Sequence, residues 1–136
     1  MSTFVDSCVL LDLIENDPVW ADWSQSQLEK AATRGPMIIN VAVYAEIANS
    51  FASESELEAF VRATELQVKA IPRGAAWLAA NAHRAYRRSK GTKTTTLPDF
   101  FIGAHAQLEG HSLLTRDATR FKTYFPLLKL IVPKNG

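Results

Sequence analysis

The chain has 136 residues, 47% hydrophobic and 21% charged, the balance of one folded domain and not of a disordered segment. Its single cysteine, Cys8, excludes an internal disulfide framework, and no run of 18 apolar residues offers a membrane span. The formal net charge of +1 conceals a division: residues 1–65 hold 3 Lys/Arg against 11 Asp/Glu, residues 66–136 hold 12 against 3.

Residues 3–7 form a short β-type run and 9–14 an apolar stretch. Asn16-Asp17-Pro18 has the form of a helix start, with Asp17 as N-cap and Pro18 in the first helical position. Trp20, Trp23, Leu28 and Ala31 then recur near helical spacing until Gly35-Pro36 closes the helix. Residues 37–39 read as a buried strand, and Asn40 caps a helix over 43–50. Ser53 with Glu56 is a capping box for a helix whose inner face is Leu57, Phe60, Val61 and Thr64. A strand over 67–71 stops at Pro72, an Ala-rich helix spans 74–89, and a basic, threonine-rich loop follows over 90–96. Pro98 opens a helix over 99–109 that Gly110 ends; 112–115 is a strand, 118–124 a short helix and 129–132 a last strand. Strands alternating with helices require crossover connections, so the expected fold is a single three-layer α/β/α domain over residues 1–136 with a mainly parallel sheet.

In open α/β sheets ligands bind beyond the carboxyl ends of the strands. Asp6 ends the first strand there, Asp117 follows the strand at 112–115, Glu46 lies near the start of the helix after the second strand, and Asp99 is in the first turn of its helix. Each acid alone has a structural explanation, as a helix-N-terminal charge or a turn residue. Four together repel one another and raise their own pKa values, a penalty that a hard divalent cation removes. Oxygen donors without histidine or thiolate suit Mg²⁺ or Mn²⁺. Between Leu66 and Pro98 the chain carries seven basic residues and no acid, which points to a polyanionic partner. A carboxylate-held metal beside a basic half describes phosphodiester hydrolysis.

The stretches Phe4-Val5-Asp6-Ser7 with Leu10-Leu11-Asp12-Leu13, Val43-Tyr44-Ala45-Glu46-Ile47, Leu97-Pro98-Asp99-Phe100-Phe101-Ile102-Gly103-Ala104-His105-Ala106 and Leu114-Thr115-Arg116-Asp117-Ala118-Thr119-Arg120-Phe121 carry a family resemblance. Over essentially its full length the chain resembles a PIN-domain ribonuclease of the VapC toxin type. The resemblance implies a metal-dependent endoribonuclease. Asp6, Glu46, Asp99 and Asp117 would form its acidic site, Asp6 and Asp99 as direct ligands and Glu46 for a second ion or the attacking water. Ser7 and Thr115 would hydrogen-bond the carboxylates or the scissile phosphate. It also implies a VapB-type antitoxin partner and a homodimer; the single cysteine suits a reducing cytoplasm. Arg84, Arg87, Arg88, Lys90, Lys93 and Arg116 are the candidate RNA contacts.

Other residues read as structural. Asp12 is a framework or solvent-facing acid, His105 a packed helix residue on another face from Asp99, Cys8 a small core residue, and Trp20, Trp23 and Trp77 core or interface positions. His83 and His111 carry no motif. A receiver-type signalling domain needs an acidic pair after the first strand, and a haloacid-dehalogenase-like phosphatase needs a second aspartate two residues after Asp6; the chain has neither. A catalytically inert RNA- or partner-binding module of the same fold is the remaining alternative.

Overall fold

The computed structural model describes residues 1–89 and 96–134; the loop holding Lys90 and Lys93 lies outside the described residues. Its elements are β1 (Thr3–Val5), α1 (Ser7–Ile14), α2 (Ala21–Arg34), β2 (Met37–Asn40), α3 (Val41–Ala48), α4 (Glu54–Ala63) and β3 (Leu66–Lys69), then α5 (Arg73–Arg88), α6 (Leu97–Leu108), β4 (Ser112–Leu114), α7 (Ala118–Lys122) and β5 (Leu130–Ile131). The sheet runs β3-β2-β1-β4-β5 and every pairing is parallel. This is the three-layer α/β/α fold expected from the alternation of elements. β1, β2 and β4 are apolar and buried along their length because helices cover both faces of a parallel sheet.

The topology fixes where a site can form. From β1 the chain moves outward through β2 to β3, then returns to the other side of β1 for β4 and β5. The strand order therefore reverses between β1 and β4, and the crevice beyond their carboxyl ends is the switch point of the sheet. Phe4 pairs with Leu113 and Val5 with Leu114, so the two strands end level. Beneath them Phe4, Val5, Ile39, Phe100, Leu113, Leu114, Phe121 and Phe125 form a closed core. Burying a side chain of this size contributes about 1.5–3 kcal/mol, so these residues hold the strand ends rigid.

Caps set the helix entries. Asp6 begins α1 by accepting from the Ser7 N–H at 2.8 Å. Asn40 begins α3 by accepting from the N–H groups of Ala42 and Val43 at 2.9 and 3.2 Å. The Asn40 amide nitrogen is then left to donate, and it meets His105 Nδ1 at 3.1 Å. His105 is fully buried on α6, so its other nitrogen must carry the proton and donate to Glu109 at 2.9 Å. One polar link thus ties the start of α3 to the middle of α6. α6 ends at Gly110, whose φ of 73° is the left-handed geometry that glycine adopts cheaply after a helix.

Three local expectations change. Asp17 accepts from Val19 and Trp20 N–H groups at 2.8 and 2.9 Å, which closes a turn; α2 begins only at Ala21, without a side-chain cap. Glu56 accepts from Ala52 N–H instead of Ser53, while Ser53 Oγ accepts from Glu56 N–H as its capping role requires. α3 starts two residues early, which puts Glu46 near its carboxyl end.

Gly103 shows how closely α6 packs. A Cβ there would stand 2.5 Å from the Phe125 ring and 3.2 Å from the Phe121 ring, both fully buried. Alanine would add about 1 kcal/mol of helix propensity but overpack the core by roughly 1–3 kcal/mol. Gly103→Ala should therefore lower the urea midpoint; an unchanged or higher midpoint would show that α6 and α7 can separate freely.

Candidate active site

Asp6 leaves β1 at the switch point and is only 1% exposed. Its Oδ2 accepts from Thr115 Oγ1 at 2.7 Å and faces Cys8 Sγ at 3.4 Å, while Oδ1 takes the Ser7 N–H. Thr115, just after β4, also accepts from the Asp117 N–H at 3.1 Å, so one hydroxyl joins two of the four acids. Asp99, 4% exposed in the first turn of α6, turns its Oδ2 back to accept from the backbone N–H and hydroxyl of Thr96 at 2.9 and 3.1 Å. Asp117 begins α7 by accepting from the Arg120 N–H at 3.2 Å. Contact between α3 and α6 brings Glu46 toward the other acids.

The carboxylates sense one another. Burial, with the nearby Asp99 charge, holds the Asp6 pKa above the ordinary value against its hydrogen bonds. Burial also raises Glu46, reinforced by the charges of Asp99 and Asp6 and opposed by the Ser7 hydroxyl and Arg120. Glu46 Oε1 is buried and has no hydrogen-bond partner among the described residues. The Cys8 thiol is pushed up to about 12, by burial and then by Asp6, so it is a neutral wall of the site and not a nucleophile.

The donor set is therefore hard oxygen, crowded and undercompensated, which fits Mg²⁺ or Mn²⁺. Among the described residues no three His, Cys, Asp or Glu side chains are grouped tightly enough to hold a metal as they stand. A guanidinium intervenes: Arg120 Nη1 lies 3.4 Å from Asp99 Oδ1 and its Nε 3.2 Å from Asp117 Oδ2. The sequence reading overlooked Arg120, although its spacing of three from Asp117 is that of a helical ion pair. It also overlooked Thr96, three residues before Asp99 at capping-box spacing.

Arg116, one of the candidate RNA contacts, is turned elsewhere. It forks onto Asp12 at 2.8 and 3.0 Å and lies over the Trp20 ring at 5.2 Å. Asp12 is buried, not solvent-facing, and accepts as well from Ser24 Oγ at 2.6 Å, so this pair braces α1, α2 and the segment after β4. Arg84, Arg87 and Arg88 are exposed and line one shallow cavity on α5. Trp77 on the same helix is 68% exposed and belongs to no core, whereas Trp20 and Trp23 meet edge to face at 5.9 Å. His83 packs on Phe100, and His111 contacts Glu109 and Ser2.

The PIN-domain profile matches residues 3–124, and the chain belongs to that family. A comparison with curated proteins finds no match. Solved structures share the fold at low identity. VapBC2 of Rickettsia felis, bound to a DNA fragment from its promoter, superposes with a TM-score of 0.76 at 17% identity, covering 98% of this chain and 100% of that one. VapBC-1 of nontypeable Haemophilus influenzae gives 0.74 at 15% identity over 97% and 98% of the two chains. A toxin–antitoxin complex from Klebsiella pneumoniae gives 0.69 at 21% identity over 97% and 98%.

Raised carboxyl pKa values set the sign of the pH dependence. Native Asp6 and Glu46 keep protons that the unfolded chain, titrating near 3.8 and 4.5, has already released. Their contribution to stability is complete below those values and is lost as pH rises through the higher native ones. In chelator, Asp6→Asn retains an acceptor for the Ser7 N–H and removes the charge. It should raise the melting temperature at pH 7 by a few degrees, the response to about 1–2 kcal/mol, and not at pH 4. A melting temperature lowered at pH 7 would contradict the crowding of these acids.

Proposed function

We propose that this PIN domain is the toxin of a VapBC-type pair, a metal-dependent endoribonuclease. What supports the reading is the nearness of acids from separate elements beside the switch point: Asp6, Glu46 and Asp99 sense one another's charges, and Arg120 links Asp99 to Asp117. Asp6 and Asp99 would hold Mg²⁺ or Mn²⁺, with Asp117 completing the set. The ion would supply Lewis-acid polarisation of the scissile phosphoryl oxygen and stabilise the leaving oxygen.

The chain's own groups do the rest. Glu46 presents an unpartnered, buried oxygen and a pKa raised by burial, which suit it to accept a proton from the attacking water. Thr115 and the Ser7 N–H fix Asp6 in one rotamer, and Thr96 does the same for Asp99. Arg84, Arg87 and Arg88 neutralise flanking phosphates, and Lys90 and Lys93, outside the described residues, remain candidates for the same role. The same reading gives the protein a VapB-type antitoxin, a homodimeric state and a cytoplasmic location. Its support is that the neighbouring folds come from toxin–antitoxin complexes.

Purified protein with Mg²⁺ or Mn²⁺ should cut total cellular RNA into discrete fragments. Chelator should stop it, and Asp99→Asn should slow it by at least about 10²-fold with the fold intact. Cleavage that survives either change removes the acids from the reaction; RNA binding without cleavage by the metal-loaded wild type favours the inert module. Replacing Arg87 and Arg88 with alanine should reduce the slope of log affinity against log salt by about 0.7 per phosphate contact. An unchanged slope takes α5 out of the RNA path.

A further inference from the structure

The cation already seated on the acids separates two arginines four residues apart. Arg116 engages Asp12 through a two-pronged fork at 2.8 and 3.0 Å, the geometry of a brace. Arg120 instead spreads over two carboxylates, one contact to each, at 3.4 Å on Asp99 and 3.2 Å on Asp117. The two side chains are equally exposed, so the contrast lies in the contacts alone; Arg120 springs from a five-residue helix at the mouth of the site.

The oxygens it touches matter more than the distances. Asp99 Oδ2 is taken by Thr96, and Asp117 Oδ1 by the Arg120 backbone N–H. Arg120 therefore covers the second oxygen of each acid, the ones left over for a ligand. A guanidinium and a divalent ion on the same two oxygens repel, so one must yield to the other.

We propose that Arg120 is a displaceable counter-ion of the site. It bridges Asp99 and Asp117 while no metal is bound, leaves Asp99 when the metal enters, and then offers its planar donors to a phosphate of the RNA. The metal half rests on the metal site proposed above, and the phosphate half on the RNA substrate proposed with it. No bond is made or broken in the exchange, only ion pairs.

The test compares wild-type protein with Arg120→Ala and Arg120→Gln, each as the full chain after chelation. Mn²⁺ is titrated calorimetrically without RNA. Both variants lose the competing charge and should bind Mn²⁺ about fivefold or more tightly than wild type. They should also melt lower in chelator and gain more on adding Mn²⁺. In Ca²⁺ used to suppress cleavage, binding of a labelled single-stranded RNA should weaken, with a salt slope smaller by about 0.7.

Equal or weaker Mn²⁺ binding by the variants would overturn the displacement, because an arginine that merely shapes the acids takes affinity away when removed. RNA binding unchanged in strength and slope would overturn the phosphate role alone. Arg120→Gln can keep a neutral contact with Asp117, so it decides the matter if Arg120→Ala does not fold. A wild type that binds no Mn²⁺ overturns the metal site and this inference together; one that binds it while the variants gain nothing overturns only this inference.

Discussion

Like charges brought together out of water are the constraint around which the molecule is arranged. Asp6 and Asp99 are almost inaccessible, Glu46 is partly so, and a buried carboxylate without compensation is among the costliest groups a protein can carry. Three acids are given donors by their surroundings: the Ser7 N–H and, across from β4, the Thr115 hydroxyl for Asp6, Thr96 for Asp99, the start of α7 for Asp117. These do not suffice. The pKa values of Asp6 and Glu46 stay high because desolvation and mutual repulsion outweigh the hydrogen bonds. The acids of the site are thus only partly compensated by the hydrogen bonds around them.

Holding such a site open requires a stiff frame. β1 and β4 end level, so Asp6 and Thr115 meet across one strand spacing. The link from Asn40 through His105 to Glu109 joins the helix that bears Glu46 to the helix that bears Asp99. The missing side chain at Gly103 lets α6 settle onto Phe121 and Phe125, which brings Asp99 within reach of Arg120 on α7. Asp12 and Arg116 clamp the other side. Arg116 reads in sequence as an RNA contact and Asp12 as a framework or solvent-facing acid; their mutual saturation makes both part of the frame.

Much of this could be read from the chain, for definite reasons. The alternation of apolar runs with capped helices specifies a parallel α/β fold, and acids placed directly after short apolar strands stand out because such positions rarely tolerate charge. Asn40 was legible as a cap for the same reason. Side-chain pairing was not. Asp12 pairs with Arg116 across 104 residues of sequence, and only the fold decides that Arg116 turns to Asp12 while Arg120 turns to Asp99. The start of α2 was misplaced because an Asp-Pro step serves a turn as well as a helix. Trp77, read as a core or interface position, is exposed on α5, because helical spacing says which residues share a face and not whether anything covers it.

The margins of the sheet bear on how this protein meets others. β5 has two residues and β3 four, and β3 turns Gln67, Val68 and Lys69 to solvent before Pro72 ends it. Short borders, a lysine on the outer strand and a following proline all discourage a foreign strand from zipping on. Recruitment of a partner by strand addition is thereby disfavoured on both flanks. Association is left to helix faces and loops, where side-chain shape and charge choose the partner and the backbone contributes little.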